Sequence, residues 1–176
     1  MRRLPVLILC VLLLSGCAVS AEELPEAQLQ EMVTVSDFID RSEPPNLHVM
    51  AGNVSTQALS GTCTWAWEKV FGQWEGMCRD SMPALSCKEL LEGMYAEEEQ
   101  VILAFGAVPD RVTVQCWPDT QWDNPDAEPI QIPVNGQTIT LRDGGYIYEI
   151  VAQWDETDDR GFYGTAYYCF YAILEK

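Results

Sequence analysis

His48 is the single histidine among 176 residues, so any histidine-dependent chemistry must pass through it. A cysteine–histidine nucleophile would need it beside one particular thiol. It falls in Leu47-His48-Val49-Met50, a short strand pattern expected at a sheet edge, where a solvated surface histidine is the plainer reading. Aspartate and glutamate total 27, enough for some to be neighbours and act as a carboxylate pair on a glycoside. No pair stands in a recognisable frame. The runs Glu97-Glu98-Glu99 and Asp155-Glu156-Thr157-Asp158-Asp159 suggest calcium, but the second lacks the glycine and distal glutamate of an EF-hand loop. Solvated turns explain both. No phosphate loop, dinucleotide fingerprint or serine elbow occurs, and neither a cofactor nor a metal is expected.

Five cysteines lie in the body of the chain, Cys63, Cys78, Cys87, Cys116 and Cys169. None forms a C-x-x-C pair, so neither a dithiol redox motif nor a zinc ribbon is supported. Five is odd, which leaves at least one thiol free or paired elsewhere. Cys78 and Cys87 flank a short proline-containing loop and form the expected local disulfide.

The six tryptophans raise sugar or peptide binding. Trp65, Trp67 and Trp154 fall within strand patterns and belong to the core. Trp117 and Trp122 border a polar loop beside Asp119, Asp123 and Asn124. An aromatic platform with nearby carboxylates and amides can hold a carbohydrate. A loop tryptophan folding back over its own core is the competing reading.

These residues must be positioned by short strands. Leu47–Met50, Gln57–Trp67, Gln100–Phe105 and Arg111–Trp117 carry β-branched, aromatic or alternating residues. Lys88-Glu89-Leu90-Leu91 reads as one helical turn closed by Gly93. Pro118–Pro129 reads as a loop. Ile130–Val134 and Gln137–Leu141 flank Asn135-Gly136, the strongest hairpin signal in the chain. Asp143-Gly144-Gly145 turns into Tyr146–Trp154, whose Tyr146, Tyr148, Ile150, Ala152 and Trp154 share one face. In Gly164–Leu174 the inward face is expected to be Ala166, Tyr168, Phe170 and Ala172, although Tyr167, Cys169, Tyr171 and Ile173 are nearly as apolar. Seven or eight strands with little helix imply a mainly β, antiparallel sandwich over 46–176. Hydrophobic content of 48% suffices for a core.

Ahead of it, Arg2 and Arg3 precede an apolar run, Leu4–Leu14, too short to span a bilayer as a helix. The following Ser15-Gly16-Cys17 makes Leu14–Cys17 resemble the lipobox of bacterial lipoproteins. The resemblance implies a signal peptide over 1–16 and diacylglycerol on the Cys17 sulfur, with a further acyl chain such as palmitate on the new N-terminus. Two chains give stable anchoring where one does not. Cys10 would leave with the leader. Residues 17–45, with Glu22, Glu23, Glu26 and Glu31 and closing at Pro44-Pro45, read as an acidic tether.

The ending, Asp143 to Trp154 and then Gly164 to Phe170, resembles the last two strands of immunoglobulin-like bacterial surface domains. In that family a tyrosine after an aspartate–glycine turn locks the corner, and Tyr146 or Tyr148 would match. Tyr146–Trp154 has no cysteine, so the inter-sheet disulfide of antibody domains is not expected. Taken whole, the chain resembles uncharacterised lipoproteins of Gram-positive bacteria.

Loss of the leader removes two arginines and no acid, so the formal charge of −17 becomes −19. That surface repels phosphate backbones and argues against nucleic-acid partners. The expected product is therefore a non-enzymatic, outward-facing, membrane-anchored domain that meets a surface or secreted protein. A glycan or small-ligand binder using Trp117–Asn124 is the first alternative, and a hydrolase with an unidentified carboxylate pair is the second.

Overall fold

The computed structural model describes residues 41–69 and 72–175, and the expected leader, Cys17 and most of the expected tether lie outside them. The described chain is mainly β, with two open sheets stacked as a sandwich. In order the strands are β1 (Leu47–Ala51), β2 (Val54–Gln57), β3 (Leu59–Glu68), β4 (Trp74–Arg79), β5 (Gly93–Ala96) and β6 (Gln100–Phe105). They continue as β7 (Arg111–Pro118), β8 (Ile130–Ile132), β9 (Thr138–Thr140), β10 (Gly144–Trp154) and β11 (Phe162–Leu174). The smaller sheet runs β2-β1-β6-β9 and the larger β4-β3-β11-β10-β7-β8. β11 is long enough to have two neighbours on one side, β3 antiparallel along its first part and β5 parallel along Tyr171–Leu174.

Eleven strands stand where the pattern suggested seven or eight. The additional ones are short and lack alternation. β2 is polar and half exposed, β4 is a mostly exposed sheet edge, and β5 opens on a glycine. No β4 side chain is buried on either face, so little of its surface needs to be apolar.

Two further expectations change. β1 is no edge strand, since it lies between β2 and β6, yet His48 still points to solvent because it alternates with buried Leu47 and Val49. Asn135-Gly136 does make its turn, with Asn135 and Thr138 exchanging both backbone hydrogen bonds at 2.9 Å. The flanking strands then part instead of forming a hairpin. β8 pairs with β7 in the large sheet and β9 with β6 in the small one. Ile132 and Ile139 are thereby buried from opposite layers, and a hairpin would place both in one.

The interior joins Leu47, Val49, Val101, Leu103, Phe105 and Ile139 to Trp65, Tyr148, Ile150, Trp154, Tyr168 and Phe170. Tyr148 and Phe170 stack at 4.8 Å, and Phe105 meets both Trp154 and Tyr168 edge-on. Buried polar ends are satisfied locally, as low-dielectric surroundings demand. Tyr168 Oη donates to Pro45 O at 2.6 Å, and Trp65 Nε1 donates to Arg41 O at 2.9 Å. Pro44 and Pro45, read from sequence as the end of the tether, are thus buried against the domain. Of the two tyrosines singled out at this turn, Tyr148 holds it: its hydroxyl accepts the Arg142 N–H at 2.8 Å, fixing the turn into β10. Tyr146 makes no such contact and instead lies under the Arg142 guanidinium.

At one end of the sandwich the turn before β7 is tied to the acidic loop before β11. Arg160 donates to both carboxylate oxygens of Asp110, at 2.5 and 3.1 Å, and Asp110 also accepts the Asp155 N–H at 2.7 Å. Asp155 takes Arg111 at 2.6 Å. The run Asp155–Asp159 is therefore partly an ion-pair node and not only a solvated turn. The Arg160 and Asp155 hydrogen bonds hold the Asp110 carboxyl at about 2, against 3.8 for the free group. A lowered pKa in the folded state adds stability above the unfolded value, and that increment disappears as pH falls from near 3.8 to about 2. Asp110→Asn is expected to lower the melting temperature at neutral pH, with the gap from wild type closing in acid; a gap independent of pH would refute the assignment.

Candidate functional site

The outer face of the large sheet is covered in part, which the two-sided apolarity of β11 reflects. Ile147 and Cys169 leave the main core on that face. They join Ala84, Leu85, Cys87 and Trp117 in a second buried cluster, with Leu91, Trp122 and Tyr171 against it. The cover is the segment 81–92, which holds two short 3-10 turns, Ala84–Ser86 and Lys88–Leu90, together with the loop after β7. The expected helical turn at Lys88 is the second of these, and Gly93 starts β5 instead of closing a helix.

The five loop residues singled out in the sequence divide between two cavities. Asp119 and Trp122 line one of about 460 Å3, together with Lys88, Tyr95, Thr120 and Tyr171. Trp117, Asp123 and Asn124 line another of about 370 Å3 with Gln115 and Glu149.

In the first cavity Trp122 stands edge-on to Tyr171, centroids 5.7 Å apart at 71°. Tyr171 Oη donates to Asp119 Oδ2 at 2.9 Å. Burial, and then the neighbouring Asp119 carboxylate, push the Tyr171 phenol up to about 12, so it remains a donor at neutral pH. Tyr95 is 62% exposed on β5, whose parallel register pairs Gly93 with Tyr171 and Tyr95 with Ile173, two residues further along β11. Aromatic walls, a carboxylate acceptor, the Thr120 hydroxyl and the Lys88 ammonium thus surround one open hollow. Rings supply apolar faces, and the polar groups supply directional hydrogen bonds.

Gly145 shapes this cavity, a role its position in a turn did not announce. A Cβ there would lie 2.2 Å from Asp119 Oδ2 and 2.9 Å from Tyr171 Oη. Only a residue without a side chain lets the Asp119–Tyr171 pair lie flat against β10. The available signal was the doubled glycine, since Gly144 alone carries the positive φ of the turn.

The second cavity is more internal to the loop. Trp117 is buried and its Nε1 donates to Ala127 O at 3.1 Å, so it behaves as a lid over its own core. Asn124 is occupied within the loop, donating to Gln121 Oε1 at 2.6 Å and accepting the Asp126 N–H at 3.2 Å. Asp123 adopts φ +60, the left-handed region, and its N–H donates to Leu85 O at 3.0 Å. Glu149 borders this cavity and a third of about 230 Å3 that reaches Cys169 and Tyr167. Burial raises the Glu149 carboxyl above the usual carboxylate range, and a long 3.5 Å hydrogen bond from Gln115 offsets only part of this. Glu149 and Asp123 both border this cavity.

All five cysteines of the described residues are free thiols in this structure, so the expected Cys78–Cys87 disulfide is not formed. Cys78 is exposed on β4, 3.9 Å from Thr64 Oγ1, while Cys87 is buried under the cap. His48, on the small sheet, lines none of these three cavities. Comparison of the chain with protein-family models, curated proteins and solved structures returns no match.

Proposed function

We propose that this protein is a non-catalytic binding domain that takes a neutral saccharide in the cleft between Trp122, Tyr171 and Tyr95, and that it is held on the extracytoplasmic face of the cell membrane by lipid on Cys17. The observation that carries the reading is the set of three aromatic side chains with Asp119, Thr120 and Lys88 around one open cavity. Sugars combine apolar ring faces with fixed hydroxyls, and this lining offers a partner for each. A formal charge of −17 disfavours anionic polymers and leaves neutral ones. The anchor is supported by Arg2-Arg3, the apolar run and Leu14-Ser15-Gly16-Cys17.

A glycan array followed by titration calorimetry tests the cleft. Trp122→Ala is expected to weaken binding at least about tenfold, the scale of a lost interface anchor, with the fold retained by circular dichroism. Absence of any glycan ligand, or unchanged affinity in Trp122→Ala, would remove the proposal. The same incubations, read for newly released reducing ends, test hydrolysis; Glu149 and Asp123 on one cavity are the observation that favours it. For the anchor, Cys17→Ser is expected to move the protein from the membrane fraction to the medium or to leave the leader uncut. Normal membrane retention of that variant would overturn lipidation.

A further inference from the structure

Cys87 and Cys169 are far apart in sequence and neighbours in space. Both are buried in the outer-face cluster, Cys87 on the cap and Cys169 on β11. They belong to one cluster of six buried side chains, and Cys169 lines the same cavity as Pro83 and Ala84, cap residues just before Cys87. Cys87 donates to Pro83 O at 3.4 Å. Cys87 and Cys169 are therefore neighbours under the cap, each within electrostatic reach of the other.

We propose that Cys87 and Cys169 form the structural disulfide of this protein when it folds where disulfide donors are present. The oxidant is a low-molecular-weight disulfide such as oxidised glutathione. One cysteine thiolate attacks it to give a mixed disulfide and release one thiol, and the second cysteine displaces the other. The protein loses two thiol hydrogens, one S–S bond forms as one breaks, and the oxidant leaves as two reduced thiols. Cysteines 63 and 116 point into the main core on other strands, and Cys78 is on the far edge strand, so neither the core nor the edge offers Cys87 a nearer partner.

The timing follows from the surroundings. Burial and the nearby Glu149 carboxylate raise both thiols, Cys169 to about 12, so thiolate is scarce once the cap has docked. The bond is made during folding and is then shielded. Its structural effect is on the cap, which is held by two short 3-10 turns and no ladder of its own. Linking Cys87 to β11 fixes the segment that carries Lys88 and Leu91 to the cleft beside Tyr171. This holds whatever the cleft binds.

Trypsin makes the test direct. Cuts after Arg79, Lys88 and Arg160 place Cys87 alone on peptide 80–88 and Cys169 alone on peptide 161–176. The full domain is refolded in a glutathione redox buffer, alkylated, digested without reductant and mapped by mass spectrometry. The expected product is peptide 80–88 joined to 161–176, and its loss on reduction should accompany a fall in melting temperature of about 10 °C, as for a bond closing a long loop. Recovery of both peptides separately alkylated, or of 80–88 joined to the peptide that carries Cys78, would overturn the proposal.

Discussion

Gly164→Ala is expected to destabilise the domain by about 4 kcal/mol, at the top of the range for single substitutions, measured by urea denaturation. Gly164 sits in β11 with φ +148 and is paired on one side with Trp154 and on the other with Trp65. A Cβ there would lie 2.2 Å from the Thr64 carbonyl oxygen and 3.0 Å from Trp65 Cα. Both are backbone atoms of a strand held in the middle of the sheet, so neither can rotate away. The added methyl must either break the β3–β11 ladder or shift β3 and the Trp65 ring with it. Gly145→Ala provides the contrast, because its clash is with Asp119 Oδ2 and Tyr171 Oη, the ends of side chains that can move. That substitution should disturb the cleft more than the fold. Equal stability losses at the two positions would show that the β3 backbone is not the obstacle.

Trp154→Ala is expected to cost a similar amount, about 4 kcal/mol, as for other buried aromatic truncations. Trp154 ends β10 at 1% exposure, with Trp65 at 5.3 Å and Phe105 at 5.9 Å, both edge-on. Trp65 and Phe105 come from opposite sheets, so Trp154 joins the two layers at this end of the sandwich. Its Nε1 donates to Ala107 O at 3.1 Å, a bond that Phe cannot replace. Trp154→Phe keeps most of the ring contact and loses that donor, and its smaller cost of about 1–2 kcal/mol would separate the two contributions. A Trp154→Phe loss as large as that of Trp154→Ala would put the energy in the hydrogen bond and not in the packing.

The long central strands were legible because one face of each is buried. Gln100–Phe105 appears with the bounds expected of it, and Tyr148, Ile150, Ala152 and Trp154 share the buried face that alternation assigned. The inward face of β11 is the expected one, with Ala166, Tyr168, Phe170 and Ala172 at 1% exposure or less. Its outer face is almost as apolar because Cys169 and Tyr171 lie under the cap, a reason that periodicity cannot express. Trp122 and Asp119 could be picked out as a loop aromatic beside a carboxylate. Tyr95 and Tyr171 could not be joined to them, since β5 meets β11 only through a parallel pairing between distant segments.

By itself the sequence determined that this chain makes a β-sandwich and which residues of its long strands face the interior. Alternation and turn residues act over a few neighbouring positions, so one strand and its flanks contain the whole signal. Tertiary structure alone decided that β8 and β9 enter different sheets, that Tyr148 and not Tyr146 holds the Arg142 backbone, that Cys87 and Cys169 share one buried cluster, and that the loop tryptophans line separate cavities. Each of these depends on which distant strand supplies the other wall. That choice is made by burying both sheets and the cap together, and no local stretch records it.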